Sequence, residues 1–169
     1  DAKHPDLTRR LHIENDTVLA TPENQQLLKI LAEWEMIYEA ASFDEWIAND
    51  DRNMGNILYD GDKTFLLIDH NRAMRLPFAP DAPINNQLLN LKLYFTNDEV
   101  GKQRIKNKVT MLVNSIDDEL PRRMADRIIN SANNLDDAIL TAMVDFLHKR
   151  LQYITVITHN KVPTVQMSL

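Results

Sequence analysis

Hydrophobic positions change period several times along this chain, and each change marks an element. Residues 1–20 are mixed: Leu7, Leu11, Ile13, Val18 and Leu19 pack either as a short strand or as an irregular arm. Thr21-Pro22-Glu23-Asn24 opens a helix, with Thr as N-cap and Pro at the first helical position. Leu27, Leu28, Ile30, Leu31 and Trp34 give that helix its apolar side, and it either breaks near 33–35 or runs straight on. From 36 to 48 the chain is apolar on nearly every side: Met36, Ile37, Tyr38, Ala40, Ala41, Phe43, Trp46, Ile47, Ala48. Such a helix is buried all round rather than lying on a surface. Asn49 and Asp50 end it. The polar stretch 51–55, which contains Gly55, is a loop. Residues 56–59 and 63–68 then read as two short strands around Asp60-Gly61-Asp62, a hairpin signal because glycine readily takes a positive φ.

Pro77, Pro80 and Pro83 make 76–83 an extended loop, read either as a plain connection or as a segment that holds an acceptor. From 84 onward the period is helical. Ile84, Leu88, Leu89, Leu91 and Leu93 lead, and Asn97-Asp98-Glu99 caps a helix with Ile105, Val109, Leu112, Val113 and Ile116 inward. Pro121 starts a third with Met124, Ile128 and Ile129 inward. A last helix after Asn133-Asn134 carries Leu140, Met143, Val144, Leu147, Leu151 and Ile154 on one stripe. The tail from His159, with 160–169 as a mobile end, has no pattern. The fold class is therefore mainly α with a short β-hairpin (α+β), a single domain over residues 1–169: a helical bundle that carries its functional loops.

Composition narrows the function. A length of 169 residues, 44% hydrophobic and 26% charged, is ordinary for a globular domain. A net charge of −6 leaves no electrostatic footprint for nucleic acid. The absence of cysteine excludes disulfide and thiolate chemistry and is compatible with a reducing cytoplasm. No apolar run is long enough to span a membrane. The first residues are no signal peptide, and the lack of a start Met hints at a fragment.

The chemistry gathers in 43–74, FDEWIANDDRNMGNILYDGDKTFLLIDHNRAM. Asn56 follows Asp51 by five residues, the spacing of a phosphotransferase catalytic loop, in which Asp takes the acceptor's proton and Asn holds a metal ion. Asp69 closes the hairpin, whose two outer ends meet, so Asn56 and Asp69 are expected side by side. An amide oxygen beside a carboxylate suits a hard cation such as Mg²⁺. Asp50 reads as a turn residue. Arg52 reads as an internal ion pair. His70 is expected to make a structural hydrogen bond rather than to ligate a metal. His4, His12, His148 and His159 show no metal spacing. Trp34 and Trp46 read as core, and Lys102, Arg104, Lys106 and Lys108 as a solvated face.

The Trp-Ile-x-Asn-x-Asp-Arg run ending at Arg52 and the Ile-Asp-His-Asn run ending at Asn71 resemble the catalytic core of HipA-like kinases, members of the wider protein-kinase-like superfamily. About thirty residues match closely and the helical remainder loosely. The resemblance implies ATP and Mg²⁺ as cofactors, Asp51 as catalytic base, Asn56 and Asp69 as cofactor and metal ligands, and a protein Ser or Thr as acceptor. It also implies a cytoplasmic kinase with an antitoxin-like partner. One departure is Asn53, where that family often has His. Such an enzyme also needs an N-terminal lobe with a glycine-rich phosphate loop and a lysine. Gly55, Gly61 and Gly101 lie far apart and no such lysine strand precedes them. The chain thus reads as a kinase-like C-terminal lobe, expected to bind ATP weakly and to transfer nothing until an N-terminal lobe, fused or as a separate chain, joins it. Two other readings stay open: a small-molecule kinase of the aminoglycoside or choline kinase type, since Asp-x-x-x-Gly-Asn-Ile-Leu is also present, and a non-catalytic interaction lobe.

Overall fold

The computed structural model describes Asp6, residues 21–75, 78–131 and 136–163; the side chains of 128–131 lie outside that description. In chain order the described elements are α1 (Pro22–Ala32), α2 (Ile37–Trp46), a 3₁₀ turn (Met54–Asn56), β1 (Ile57–Tyr59), β2 (Phe65–Leu67), α3 (Gln87–Tyr94), α4 (Glu99–Ser115), α5 (Leu120–Ser131) and α6 (Asp137–Lys161). The described chain is mostly helical with a two-stranded antiparallel sheet, as the periodicity predicts. None of its helices is long and apolar enough to cross a membrane.

Local chemistry accounts for the boundaries. Thr21 caps α1 by accepting from Asn24 N–H at 3.3 Å. The chain then breaks between α1 and α2, and Trp34 turns in to pack on Phe65 with ring centroids 5.5 Å apart. Asn86 caps α3 by accepting from Leu89 N–H, so this helix begins three residues later than a start at Ile84. Asp98 caps α4 through Gly101 N–H at 2.7 Å. The hairpin register pairs Ile57 with Leu67, Leu58 with Leu66 and Tyr59 with Phe65. Its turn needs Gly61 at φ 96° and is tied by Asp60 Oδ1, which accepts from Asp62 N–H and Thr64 N–H. Asp6 makes an isolated antiparallel bridge to Leu58; the expected apolar arm of Leu7, Leu11, Ile13, Val18 and Leu19 lies outside the described residues.

α2 runs through the middle of the bundle. Ile37, Ala40 and Ala41 join a core cluster with the hairpin residues Ile57, Tyr59 and Phe65 and with Leu88 and Ile105. At its other end Trp46, with Ile47 and Ala48, joins a second cluster with Val109, Phe146, Leu151 and Ile154. Trp46 Nε1 donates to Leu147 O at 2.9 Å, which satisfies its one polar atom and fixes it as core.

Several expectations need correction. The helix is not apolar all round: Asp44 and Glu45 are 0% and 1% exposed, while Met36 and Phe43 face outward. On α5, Pro121 and Ala125 are buried and Met124 is exposed, because the contact with α6 falls one residue over; Ile128 and Ile129 lie outside the described side chains. α6 does not stop before His159. It continues through Lys161, with Val162 buried behind it, so the patternless tail is at most the residues from 164 on, which lie outside the described set.

Besides buried Ile157 and Val162, Glu45 holds that last turn. Its Oε1 accepts from Arg150 Nη2 at 3.1 Å and from Ile84 N–H at 3.3 Å. Its Oε2 accepts from Lys161 Nζ at 2.7 Å and Asn86 Nδ2 at 3.2 Å. Arg150, 0% exposed, also donates to the Glu45, Pro80 and Ala82 carbonyls and lies over the Phe78 and Phe146 rings. One buried carboxylate thereby ties the proline-rich segment to α2 and α6. Removing one partner of a buried ion pair strands the other charge, which costs about 3–5 kcal/mol. Arg150→Ala is therefore expected to lower unfolding free energy by about that much. Lys161→Ala should lose less, since Arg150 still neutralises Glu45. Urea denaturation of both variants measures this; equal losses would mean that Arg150 is not the principal partner.

Candidate active site at the loop and hairpin junction

α2 ends in a Schellman motif. Asn49 N–H returns to Asp44 O at 2.9 Å and Ala48 N–H to Glu45 O at 3.2 Å, with Ala48 left-handed at φ 50°. That turn delivers 51–56 to the open end of the hairpin. Arg52 then locks the loop from inside. Its Nε and Nη2 grip both oxygens of Asp44, each at 2.9 Å, and its Nη1 donates to Asn56 O at 2.9 Å and Ile68 O at 2.8 Å. Asn49 Nδ2 adds a bond to Asp44 Oδ1 at 3.0 Å. Arg52 is the internal ion pair that its sequence context suggests.

The three candidate residues surround this lock. Asn56, 9% exposed, donates Nδ2 to Asp51 O at 2.8 Å, so its amide is oriented with the other end, Oδ1, left as an acceptor. Ile68 N–H donates to Asn56 O at 3.0 Å, so Asp69 leaves the hairpin beside Asn56, as the hairpin geometry predicts. Asp69 is exposed and left-handed at φ 54°, a conformation that Asp tolerates better than most residues. Asp51 is about one third exposed, with Arg72 Nη1 at 3.5 Å from its Oδ1. Asp50 is exposed, in keeping with a turn residue.

His70 differs from expectation. Its Nε2 is buried with no hydrogen-bond partner among the described residues, and its ring meets Phe43 edge-on at 5.6 Å. Burial, helped by the Arg52 charge and opposed by Asp44 and Asp69, moves its pKa below the ordinary histidine value. The ring is thus held neutral at neutral pH. His148 is exposed, and His159 pairs with Thr110 Oγ1 at 3.1 Å, far from this loop.

Chemically, the junction offers one carboxylate with a free face, one oriented amide oxygen and one exposed carboxylate. Among the described residues no group of three or more His, Asp or Glu could hold a metal by itself. A cation here would need ligand oxygens from elsewhere, which is the habit of Mg²⁺ on phosphates. The concavities of about 630 Å³ beside Trp34 and of about 490 Å³ between α5 and α6 are lined by other residues. The sequence reading missed Asp44 and Arg72. Asp44 carries a weak local signal, an acid in a largely apolar helix eight residues before a loop Arg; Arg72 carries none.

Comparison with known proteins adds one finding. The family model described as HipA-like kinase matches residues 13–160. No curated protein and no solved structure matches the chain.

The lock makes a prediction. Arg52→Leu leaves Asp44 buried and uncompensated and is expected to cost about 3–5 kcal/mol. Arg52→Lys should rescue little, because an ammonium cannot span two carboxylate oxygens and two carbonyls at once. Chemical unfolding of both variants is the measurement; near-full rescue by Lys would show that charge alone, not the fork, holds the loop.

Proposed function

The chain belongs to the HipA-like kinase family, and from that premise we propose that it contributes the catalytic loops for transfer of a phosphoryl group from ATP to a hydroxyl, that of a protein Ser or Thr. In this reading it is a kinase-like C-terminal lobe, completed by an N-terminal nucleotide-binding lobe. The observation that carries the reading is the joint tie of the three candidate residues: Asn56 Nδ2 on Asp51 O, and Ile68 N–H on Asn56 O immediately before Asp69.

Asp51 would accept the proton of the acceptor hydroxyl as its oxygen bonds to the γ-phosphorus and the bond to the departing diphosphate breaks. The residues fit a hard cation: Asn56 Oδ1 and the Asp69 carboxylate are oxygen donors, one held by its own amide and the other exposed. Mg²⁺ bound there would neutralise phosphate charge. Arg52 does none of this chemistry. It keeps the Asn56 and Ile68 carbonyls together, and so keeps both donors on the same edge.

With an N-terminal lobe present, Asp51→Ala is expected to lower transfer by about 10²–10⁴-fold, the usual span for a positioned general base. Asp50→Ala should do far less. A γ-phosphate transfer assay on both decides it, and an equal or larger loss at Asp50 would reject Asp51 as the base.

The cation has its own check. Asn accepts the left-handed backbone of position 69, so Asp69→Asn should fold while losing the carboxylate. Titration of Mg²⁺ with ATP present should then show a clearly raised Mg²⁺ requirement. An unchanged requirement would exclude Asp69 as a ligand.

A further inference from the structure

Arg72 sits three residues past Asp69 in a turn closed by Ala73 N–H to His70 O at 3.0 Å. Met74 N–H, bonded to Ile47 O at 2.8 Å, folds this turn back against the end of α2. From there the Arg72 side chain crosses to Asp51, with Nη1 3.5 Å from Oδ1. Its guanidinium therefore spans the two loops that carry Asp51 and Asp69. The pairing is incomplete. A distance of 3.5 Å is long for a charge-assisted hydrogen bond, and the side chains are 41% and 31% exposed. Arg72 Nε is buried and has no acceptor among the described residues. A buried donor without a partner is uncommon and points to a missing one. Arg52, the nearest comparison, has all three nitrogens committed to Asp44, Asn56 and Ile68 and cannot reach outward. Asp50, Asp51 and Asp69 make the surroundings acidic, so an anion arriving here needs a cation of its own.

We infer that Arg72 is the anion-binding residue of this site, taking the non-bridging oxygens of the phosphoryl group as it passes to the acceptor; this rests on the phosphotransfer reading above. The guanidinium fork matches phosphate geometry, and an arriving oxygen gives Nε the acceptor that it lacks. The charge in such a transfer spreads over three equatorial oxygens, where a fixed cation acts most strongly. The same movement draws Nη1 off Asp51, which leaves Oδ1 to accept the hydroxyl proton. Arg72 itself gains and loses no proton: the acceptor oxygen bonds to phosphorus, the bond to the nucleoside diphosphate breaks, and the proton goes to Asp51.

Two measurements test it. The first uses the 169-residue chain itself, isotope-labelled and titrated with tripolyphosphate and equimolar Mg²⁺. The Arg72 Nε–H resonance is expected to move saturably while that of Arg52, locked on Asp44, stays in place. No movement at Arg72, or equal movement at both, would overturn the inference. The second is phosphoryl transfer with an N-terminal lobe present. Arg72→Gln should lower kcat by about 10²–10³-fold, the loss typical of one transition-state donor, with a smaller change in KM for ATP. Arg72→Lys should recover part of the loss, and Arg75→Gln, at an exposed position on the same loop, should have little effect. An Arg75→Gln loss as large as that of Arg72→Gln would reduce the effect to general charge and overturn the inference. If Asp51→Ala is inactive and Arg72→Gln is fully active, Arg72 has been misassigned while the phosphotransfer reading stands. If Asp51→Ala is itself fully active, that reading fails, and the resonance titration alone decides whether Arg72 binds anions.

Discussion

Asp44 and Arg52, each about 1% exposed, meet through two parallel hydrogen bonds inside the bundle, and the remaining guanidinium nitrogen holds the carbonyls of Asn56 and Ile68. Removing two such charges from water costs several kcal/mol for each ion, and close geometry with every polar atom occupied is needed to offset it. That condition is met: Arg52 donates from all three nitrogens, and Asp44 also takes Asn49 Nδ2. Even so, buried pairs often stabilise no more than well-packed apolar residues would. What an apolar pair could not do is fasten two backbone carbonyls from the two ends of the hairpin. Arg52 fixes the relation between the loop before β1 and the exit of β2, and the candidate residues lie on those two pieces.

Glu45, the next residue on α2, does a parallel job on another side. Consecutive helical residues point about 100° apart. Asp44 therefore faces the hairpin while Glu45 faces α6 and the segment that leads into α3. One helix turn carries both acids, and the segments before and after the site are referenced to the same short stretch. Arg150 passes this reference on to the Pro80 and Ala82 carbonyls and the Phe78 ring, so the described part of the proline-rich loop is anchored at several points.

Much of this was readable from residues that are close in the chain. The loop, the hairpin and the adjacency of Asn56 to Asp69 follow from turn chemistry over fewer than twenty residues, and Trp46 was placed correctly as core. The burial of Asp44 and Glu45 was not foreseen. Two acids in a helix ordinarily mark a solvated side, and the partners that reverse this for Glu45, Arg150 and Lys161, lie 105 and 116 residues away. No local period encodes such a contact. The last turn of α6 is held by Lys161 on Glu45 and also by its own buried stripe, which continues past Ile154 through Ile157 to Val162. Periodicity alone places Met124 inward, but the contact face of α5 is centred on Pro121 and Ala125. Arg72 is not legible in the sequence, because an arginine in a polar loop has no signal until its neighbours are known.

Backbone strain shows where the chain is held against its preference. Ala48, Asp69 and Met74 are left-handed at φ 50°, 54° and 51°, although none is glycine. Each such residue costs roughly 1–2 kcal/mol. These three gather around the site, while the fourth described non-glycine residue with positive φ, Lys63 at 108°, lies in the hairpin turn. Ala48 stands where the buried helix turns into the loop of Asp51. Asp69 follows the Ile68 carbonyl that Arg52 holds. The amide of Met74 bonds to Ile47 O, one residue before Ala48. A glycine at 48 would relieve the strain but would also remove a buried methyl from the second core cluster. Packing thus accounts for alanine at this turn, and the stiffness that comes with it limits how far Asp51 can drift. Transfer chemistry is sensitive to displacements of about 1 Å, so a loop clamped by a buried guanidinium and bounded by stiff, strained corners is suited to it.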